Sequence, residues 1–301
     1  MEETATGPED TEIPGILKPI ASKVLMKILY AARMCRYDLL RATSALASMV
    51  TKWTPSCDKK LHRLVSYIHS SLALRLVAWV GDHPKDMSVK LFSDADFAGD
   101  LQTSRSTSGV FLQLSGPDTF FPLAGQSKKQ SCVSHSTPEA ELVAADLAIR
   151  TEGIPAFQLW DKVLGREVHL DFEEDNQAAI RIMESGRSNA IRHLARTHRV
   201  DLAWLHEQVV SGAVVLHYCD SNKMAADIFT KAFTSAEKWW DVCKLIGHVF
   251  PSGTSPARSR SAASPRDESM GRPSANGMNK LLTTTSTAAP SLPAPTTRRL
   301  V

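Results

Sequence analysis

Apolar positions between residues 20 and 250 change their period several times, and each change marks an element. Residues 20–50 carry a helical pattern and are read as two helices meeting near Arg36–Tyr37. In "CDKKLHRLVSYIHSSL", Leu61, Leu64, Val65 and Ile68 again fall at helical spacing, so a small helical segment is expected up to about residue 82. "LALRLVAWV" then alternates like a strand. From about 88 to 134 strand patterns follow one another: "VKLFSDADF", then "TSGVFLQLSG" ending in a Gly116–Pro117 turn, then a run from roughly Phe120 to Ser134. Three strands with short turns predict an antiparallel meander.

The period then lengthens. In "STPEAELVAADLAIR", Thr137 can cap a helix, Pro138 suits its first position, and Glu139 and Glu141 suit the first-turn dipole. A second helix fits 155–164, and "EVHLDF" is a strand with Val168, Leu170 and Phe172 on one face. A helix from Asn176, a basic stretch at 187–199, a helix near 200–210, the strand "AVVLHYC" and helices near 223–232 and 235–246 complete the order. That order predicts an α/β domain over 88–248 with a mixed five-stranded sheet flanked by helices and preceded by the helical segment. Residues 1–19, with Gly7, Pro8, Pro14 and Pro19, read as a flexible lead; residues 251–301, rich in Ser, Thr, Pro and Ala, read as a disordered tail.

Composition narrows the function classes. The formal net charge of the 301 residues is +3, so any nucleic-acid footprint must be a local patch. The five cysteines, Cys35, Cys57, Cys132, Cys219 and Cys243, form no CxxC pair; reduced thiols are expected rather than a disulfide framework or zinc site. The start, "MEETATGPED", lacks the basic and apolar regions of a signal peptide, and no apolar run approaches the ~18 residues of a membrane span. A soluble intracellular chain with no membrane partner is expected, with cytoplasm and nucleus both open.

Candidate chemistry lies in carboxylates at element ends. "LFSDADFAGD" places Asp94 and Asp96 on one face of a strand that enters a core, and a buried carboxylate needs a positive partner. Glu141 lies early in a helix, Asp175 follows "HLDFEE" where a strand hands over to a helix, and Asp227 sits in "NKMAADIFTK". Glu139 and Glu141 point ~200° apart on a helix. Glu141 shares its face with Ala145 and Ala148, so it is placed beside Asp94 and Glu139 away from it. Clustered carboxylates raise one another's pKa values, and a hard divalent cation removes the conflict. Two ions ~3.5–4 Å apart can activate water against a phosphodiester, with Asp94 bridging them. Taken singly, each acid reads as readily as a cap or a solvated charge, and Asp96 and Asp100 are assigned to turn or strand-edge roles.

In order and spacing, "SDADFAGD", "SRSTSGVFLQL", "SKKQSCVSHSTPEAEL", "EDNQAAI", "RHLARTHRVDLAWL" and "MAADIFTKAF" resemble the ribonuclease H domain at the end of copia-type retrotransposon polyproteins. The similarity spans about 88–248. Residues 20–80, including "RYDLLRATSALASM", resemble the end of the preceding reverse transcriptase. The resemblance implies a ribonuclease H-like fold, with Asp94, Glu141, Asp175 and Asp227 as catalytic acids holding two Mg²⁺ (or Mn²⁺) ions. It also implies an RNA–DNA hybrid as substrate and, since no Tyr-x-Asp-Asp motif occurs, a reverse transcriptase supplied in trans. An inactive remnant that binds nucleic acid or a polymerase without catalysis is the alternative. The chain departs from the family pattern at Pro138, at His198-Arg199 in place of Lys-His, and in a shortened helix after Asp201. His217, ten residues before Asp227 in an apparent strand, is read as structural.

Phosphate contacts are sought in basic side chains. Arg192, Arg196 and Arg199 stand at i, i+4 and i+7, one face if 190–200 is helical, and Arg187, His193 and His198 add to an acid-free stretch. An ordinary solvated face is the equal alternative. Arg105, Lys128 and Lys129 are further candidates, as are the hydroxyls of Ser106, Thr107 and Ser108, which could equally form turns. Trp239 and Trp240 are assigned to packing, and the nearness of Cys132 to His135 to chance.

Overall fold

The computed structural model describes residues 13–251. Of the expected flexible lead over 1–19, residues 13–19 are instead held in place, because the Ile16 and Leu17 N–H groups donate to Asp58 and a helix begins at Lys18; residues 1–12 and the tail after residue 251 lie outside the described residues.

The helical segment comprises α1 (Lys18–Met34), a 3-10 turn at Tyr37–Leu39, α2 (Leu40–Ala47) and α3 (Pro55–Ser70). The break near Arg36 is held by side chains: Arg36 donates to both oxygens of Asp38 and to Ser71 Oγ. "LALRLVAWV" does not form one strand. It splits into β1 (Arg75–Leu76) and β2 (Trp79–Val80), which belong to different sheets.

The meander is β3 (Ser88–Asp96), β4 (Thr107–Gly116) and β5 (Thr119–Lys129). β5 ends five residues before the expected Ser134 because Gln130 turns inward. Its amide donates to Ser108 Oγ and to the Ala140 carbonyl, and Ser134 Oγ donates to its oxygen. The chain thereby passes into α4 (Thr137–Ala148). The cap of α4 is Ser136, whose hydroxyl accepts the Glu139 N–H; Thr137 lies inside the helix. Ser136 has the extended backbone a cap requires.

A single π turn, Ile149–Gly153, leads into α5 (Ile154–Leu164). Then come β6 (Leu170–Glu174), α6 (Gln177–Ser185), α7 (Leu194–Thr197), α8 (Leu202–Val210) and β7 (Val214–Tyr218). The helix expected near 223–232 is instead two 3-10 turns, Ser221–Lys223 and Ala225–Phe229, followed by α9 (Ala236–Leu245) and β8 (His248–Val249).

The main sheet has the order β2-β5-β4-β3-β6-β7, with β6 parallel to both β3 and β7 and the other pairs antiparallel. It is mixed, as expected, with six strands rather than five; the sixth is the two-residue edge strand β2. Strand alternation sends neighbours to opposite faces. Leu91 joins a core with Leu142, Ala145, Ala148, Phe172, Met183 and Leu205. Phe92 joins another with Leu25, Leu39, Leu40, Trp53, Phe111 and Phe229. The helical segment therefore packs on the sheet through a shared core. Tyr37 adds a hydrogen bond from its hydroxyl to the Leu123 carbonyl on β5. Trp239 and Trp240 pack against Tyr67, and all five cysteines are free thiols. Among the described residues no helix is long and apolar enough to cross a membrane.

Candidate active site

Parallel pairing places the first two acids. Phe92 lies beside Glu173, so two residues further along, Asp94 and Asp175 come side by side. Glu141 stands in α4, which lies close on the sheet because the small side chains of Ala95, Ala140 and Ala144 pack together there. Carboxylate oxygens of Asp94, Glu141 and Asp175 all lie within 4.8 Å of one another. Asp94 and Glu141 are buried and Asp175 is half-buried. Asp175 also accepts a hydrogen bond from Ser221 Oγ, 2.9 Å.

Asp227 reaches the cluster differently. Its turn lies directly on β4, where Gly109 pairs with Asp94. A β-carbon at Gly109 would stand 2.8 Å from the Ala226 carbonyl oxygen, so only glycine permits this approach. Ser127 Oγ donates to the Phe229 carbonyl and Arg41 Nε to that of Thr230, both at 2.6 Å, and these bonds fix the turn. Asp227 is not one of the three mutually close acids. It pairs with Lys231 Nζ at 2.6 Å, and the same ammonium lies 3.2 Å from Asp94 Oδ1. Thr230 Oγ1 donates to Asp94 Oδ2.

The charges are in conflict. Burial pushes the Asp94 carboxyl up, partly offset by Lys231 and the Thr230 hydroxyl. Burial, and then Glu174 and Asp94, push Glu141 far up. Asp227 rises to about 6 through burial and the nearby Asp94, against the pull of Lys231. Burial disfavours the Lys231 charge, yet Asp94 and Asp227 outweigh it and raise the ammonium above its ordinary value. Oε2 of Glu141 is buried with no hydrogen-bond partner. An all-oxygen donor set with one orphaned buried oxygen fits a hard divalent cation.

Three contributors were not anticipated. Glu174 is fully buried; it accepts from Ser93 Oγ and from the Asn176 N–H. Its signal was present, since it follows Leu170 and Phe172 on the inward side of a period-two strand. Lys231 and Thr230 stand four and three residues after Asp227, a helical-neighbour spacing. Glu139 does turn away from Asp94 but is buried. Its Oε1 lies 3.1 Å from His193 Nε2 and 3.3 Å from His198 Nε2, and its Oε2 accepts the His135 N–H. His217 bonds Asp171 at 3.1 Å.

The basic candidates scatter. Helix α7 covers only Leu194–Thr197, and Arg199 has φ 61°, so Arg192, Arg196 and Arg199 do not form one helical face. All three are exposed, as are Arg105 and Lys128. Lys129 pairs with Asp100. Ser106 is buried and accepts the Ala98 N–H, a loop-forming role; Ser108 is buried against Gln130, and Thr107 is half-buried where β4 begins.

No family model matches the chain. Over 170 residues, 54% of its length, it is 31% identical to a retrovirus-related Pol polyprotein from transposon TNT 1-94 of Nicotiana tabacum, of which it spans 12%. Over 119 residues, 39% of its length, it is 32% identical to secreted RxLR effector protein 161 of Plasmopara viticola, covering 78% of that protein. Similar solved structures include LC11-RNase H1 in complex with an RNA/DNA hybrid (TM-score 0.36, 14% identity, 48% of this chain and 94% of that one). They also include the foamy viral protease-reverse transcriptase in complex with an RNA/DNA hybrid (TM-score 0.39, 14% identity, 71% and 26%). The chain therefore belongs to one family with secreted RxLR effector protein 161, and over about half its length it is similar to a small part of a retrotransposon Pol polyprotein, the kind of protein whose copia-type members its sequence blocks resemble.

Proposed function

We propose that the chain is a Mg²⁺-dependent endonuclease that hydrolyses the RNA strand of RNA–DNA hybrids, as the C-terminal part of a copia-type element. The observation that carries the reading is the gathering of Asp94, Glu141 and Asp175 around an unpartnered Glu141 Oε2, with Asp227 tied to Asp94 through Lys231. Asp94, Glu141, Asp175 and Asp227 would hold two Mg²⁺ or Mn²⁺ ions, which when bound supply an activated water and charge stabilisation for phosphodiester hydrolysis.

The chain's own groups do the positioning. The Thr230 hydroxyl orients Asp94, the buried acid shared by both halves of the cluster. Asp175, half-buried, is the acid nearest solvent and so nearest an approaching strand. Exposed Arg105, Lys128, Arg192, Arg196 and Arg199 supply phosphate contacts that weaken with salt. The 2′-hydroxyl distinguishes the RNA strand from DNA. Residues 20–82 represent the end of a reverse transcriptase, and a polymerase supplied in trans is the proposed protein partner.

The test is a labelled hybrid incubated with the chain and Mg²⁺. Cleavage of the RNA strand is expected, leaving 3′-hydroxyl and 5′-phosphate ends, with loss to background in EDTA and in the D94N and D175N variants. Hybrid binding without cleavage by the unaltered chain would identify an inactive remnant.

A further inference from the structure

The acid cluster has two unlike halves. Asp94, Glu141 and Asp175 place carboxylate oxygens within 4.8 Å of one another, and Glu141 Oε2 has no hydrogen-bond partner. Between Asp94 and Asp227 stands the Lys231 ammonium, 3.2 Å from one carboxylate and 2.6 Å from the other. Those carboxylates are almost wholly enclosed, 2% and 6% exposed, whereas the lysine side chain is 40% exposed. It therefore reaches in from the solvent side.

We propose that Lys231 is a resident counter-ion of the Asp94–Asp227 half, which a divalent cation must displace before it can bind there. This rests on reading the four acids as cation ligands. Without a positive group, Asp94 and Asp227 would be buried like charges, a costly arrangement in the folded chain. Leaving the site requires only rotation about the lysine's flexible stem. Its backbone stays anchored, because the Lys231 N–H donates to the Asp227 carbonyl at 2.8 Å and the Arg41–Thr230 bond holds the preceding residue. The two halves then fill in order. The Asp94–Glu141–Asp175 half binds first, and the Asp94–Asp227 half binds more weakly, because a cation there competes with an attached one.

The test titrates the full chain with Mg²⁺ alone by calorimetry, comparing the unaltered protein with K231M and K231Q, and follows melting in EDTA and in saturating Mg²⁺. The unaltered chain should show a tighter and a weaker event. Both variants should strengthen the weaker event by about two- to fivefold, the scale of removing one partly exposed competing charge. They should also melt lower in EDTA and recover in Mg²⁺. A weaker event that is unchanged or weakened in both variants overturns the proposal and leaves Lys231 a tether. The hybrid assay separates the two claims. A chain that shows the lysine effect but never cuts keeps the counter-ion and loses the nuclease. One that cuts while its titration ignores Lys231 does the reverse. Absence of any Mg²⁺ binding overturns both.

Discussion

Gly109 positions the site by lacking a methyl group. A β-carbon there would meet Thr230 Cγ2 at 2.7 Å, the Ala226 carbonyl oxygen at 2.8 Å and Phe229 Cβ at 3.0 Å. The turn that carries Asp227 would have to lift from β4, since a backbone carbonyl cannot rotate aside. G109A should therefore destabilise the chain by about 1–3 kcal/mol, the usual cost of overpacking, measured by urea unfolding. It should also weaken Mg²⁺ binding, because Asp227 and Thr230 move together; a variant of unchanged stability would mean the turn yields freely. The glycine was visible in "TSGVFLQLSG", but what it faces was not, because the facing turn lies more than a hundred residues away. The same distance hid Lys231. From the sequence a metal pair is the expected positive partner of Asp94; the structure adds an ammonium from the chain itself.

Element by element, strands and capped helices were legible where local chemistry decides them. The β3–β5 meander and helices α4, α6, α8 and α9 follow from period, turn residues and caps. Elements set by distant partners were not. Spacing puts Arg192, Arg196 and Arg199 on one face only if 190–200 is helical, whereas four residues form α7 and Arg199 takes a left-handed backbone. One contact that holds this segment is Glu139, buried in α4, hydrogen-bonded to the His193 ring and 3.3 Å from that of His198. E139Q should loosen the segment without unfolding α4, whose cap is Ser136. Hydrogen exchange at residues 193–199 is expected to speed by roughly tenfold, as one hydrogen bond to a charged group is weakened. Exchange within β3 and β4 should stay unchanged. Equal protection in both proteins would assign the segment's order to Ile191, Leu194 and Val200, which pack into the core.

Across the described residues, a shared core joins the helical segment to the main sheet, a buried ion network joins it to β8, and both opposing kinds of carboxylate are present at once. Asp38, buried at 4% exposure, accepts from Arg36 and Tyr67 and lies 3.3 Å from His248 Nε2 on β8. Burial pushes its carboxyl up, but the adjacent His248 ring and the Arg36 guanidinium bring it down to about 2, against 3.8 ordinarily. Its unfolded form binds protons more readily. It therefore contributes about 2 kcal/mol above pH 3.8, lost as pH falls through about 2. The site acids have the opposite sign. Asp227, raised to about 6, takes up its proton more readily when folded, so the metal-free chain gains stability as pH falls from 7 toward 4. Glu141 and Asp94, also raised, act in the same direction. Stability in EDTA, measured by urea unfolding across pH 2–8, should therefore pass through a maximum near pH 4–5. D227N should flatten the upper limb, and D38N the lower. Saturating Mg²⁺ should lift the neutral-pH end, because a cation satisfies the carboxylates that protons otherwise would. A curve that rises steadily from pH 4 to 7 in EDTA would mean that Lys231 already neutralises the cluster in full.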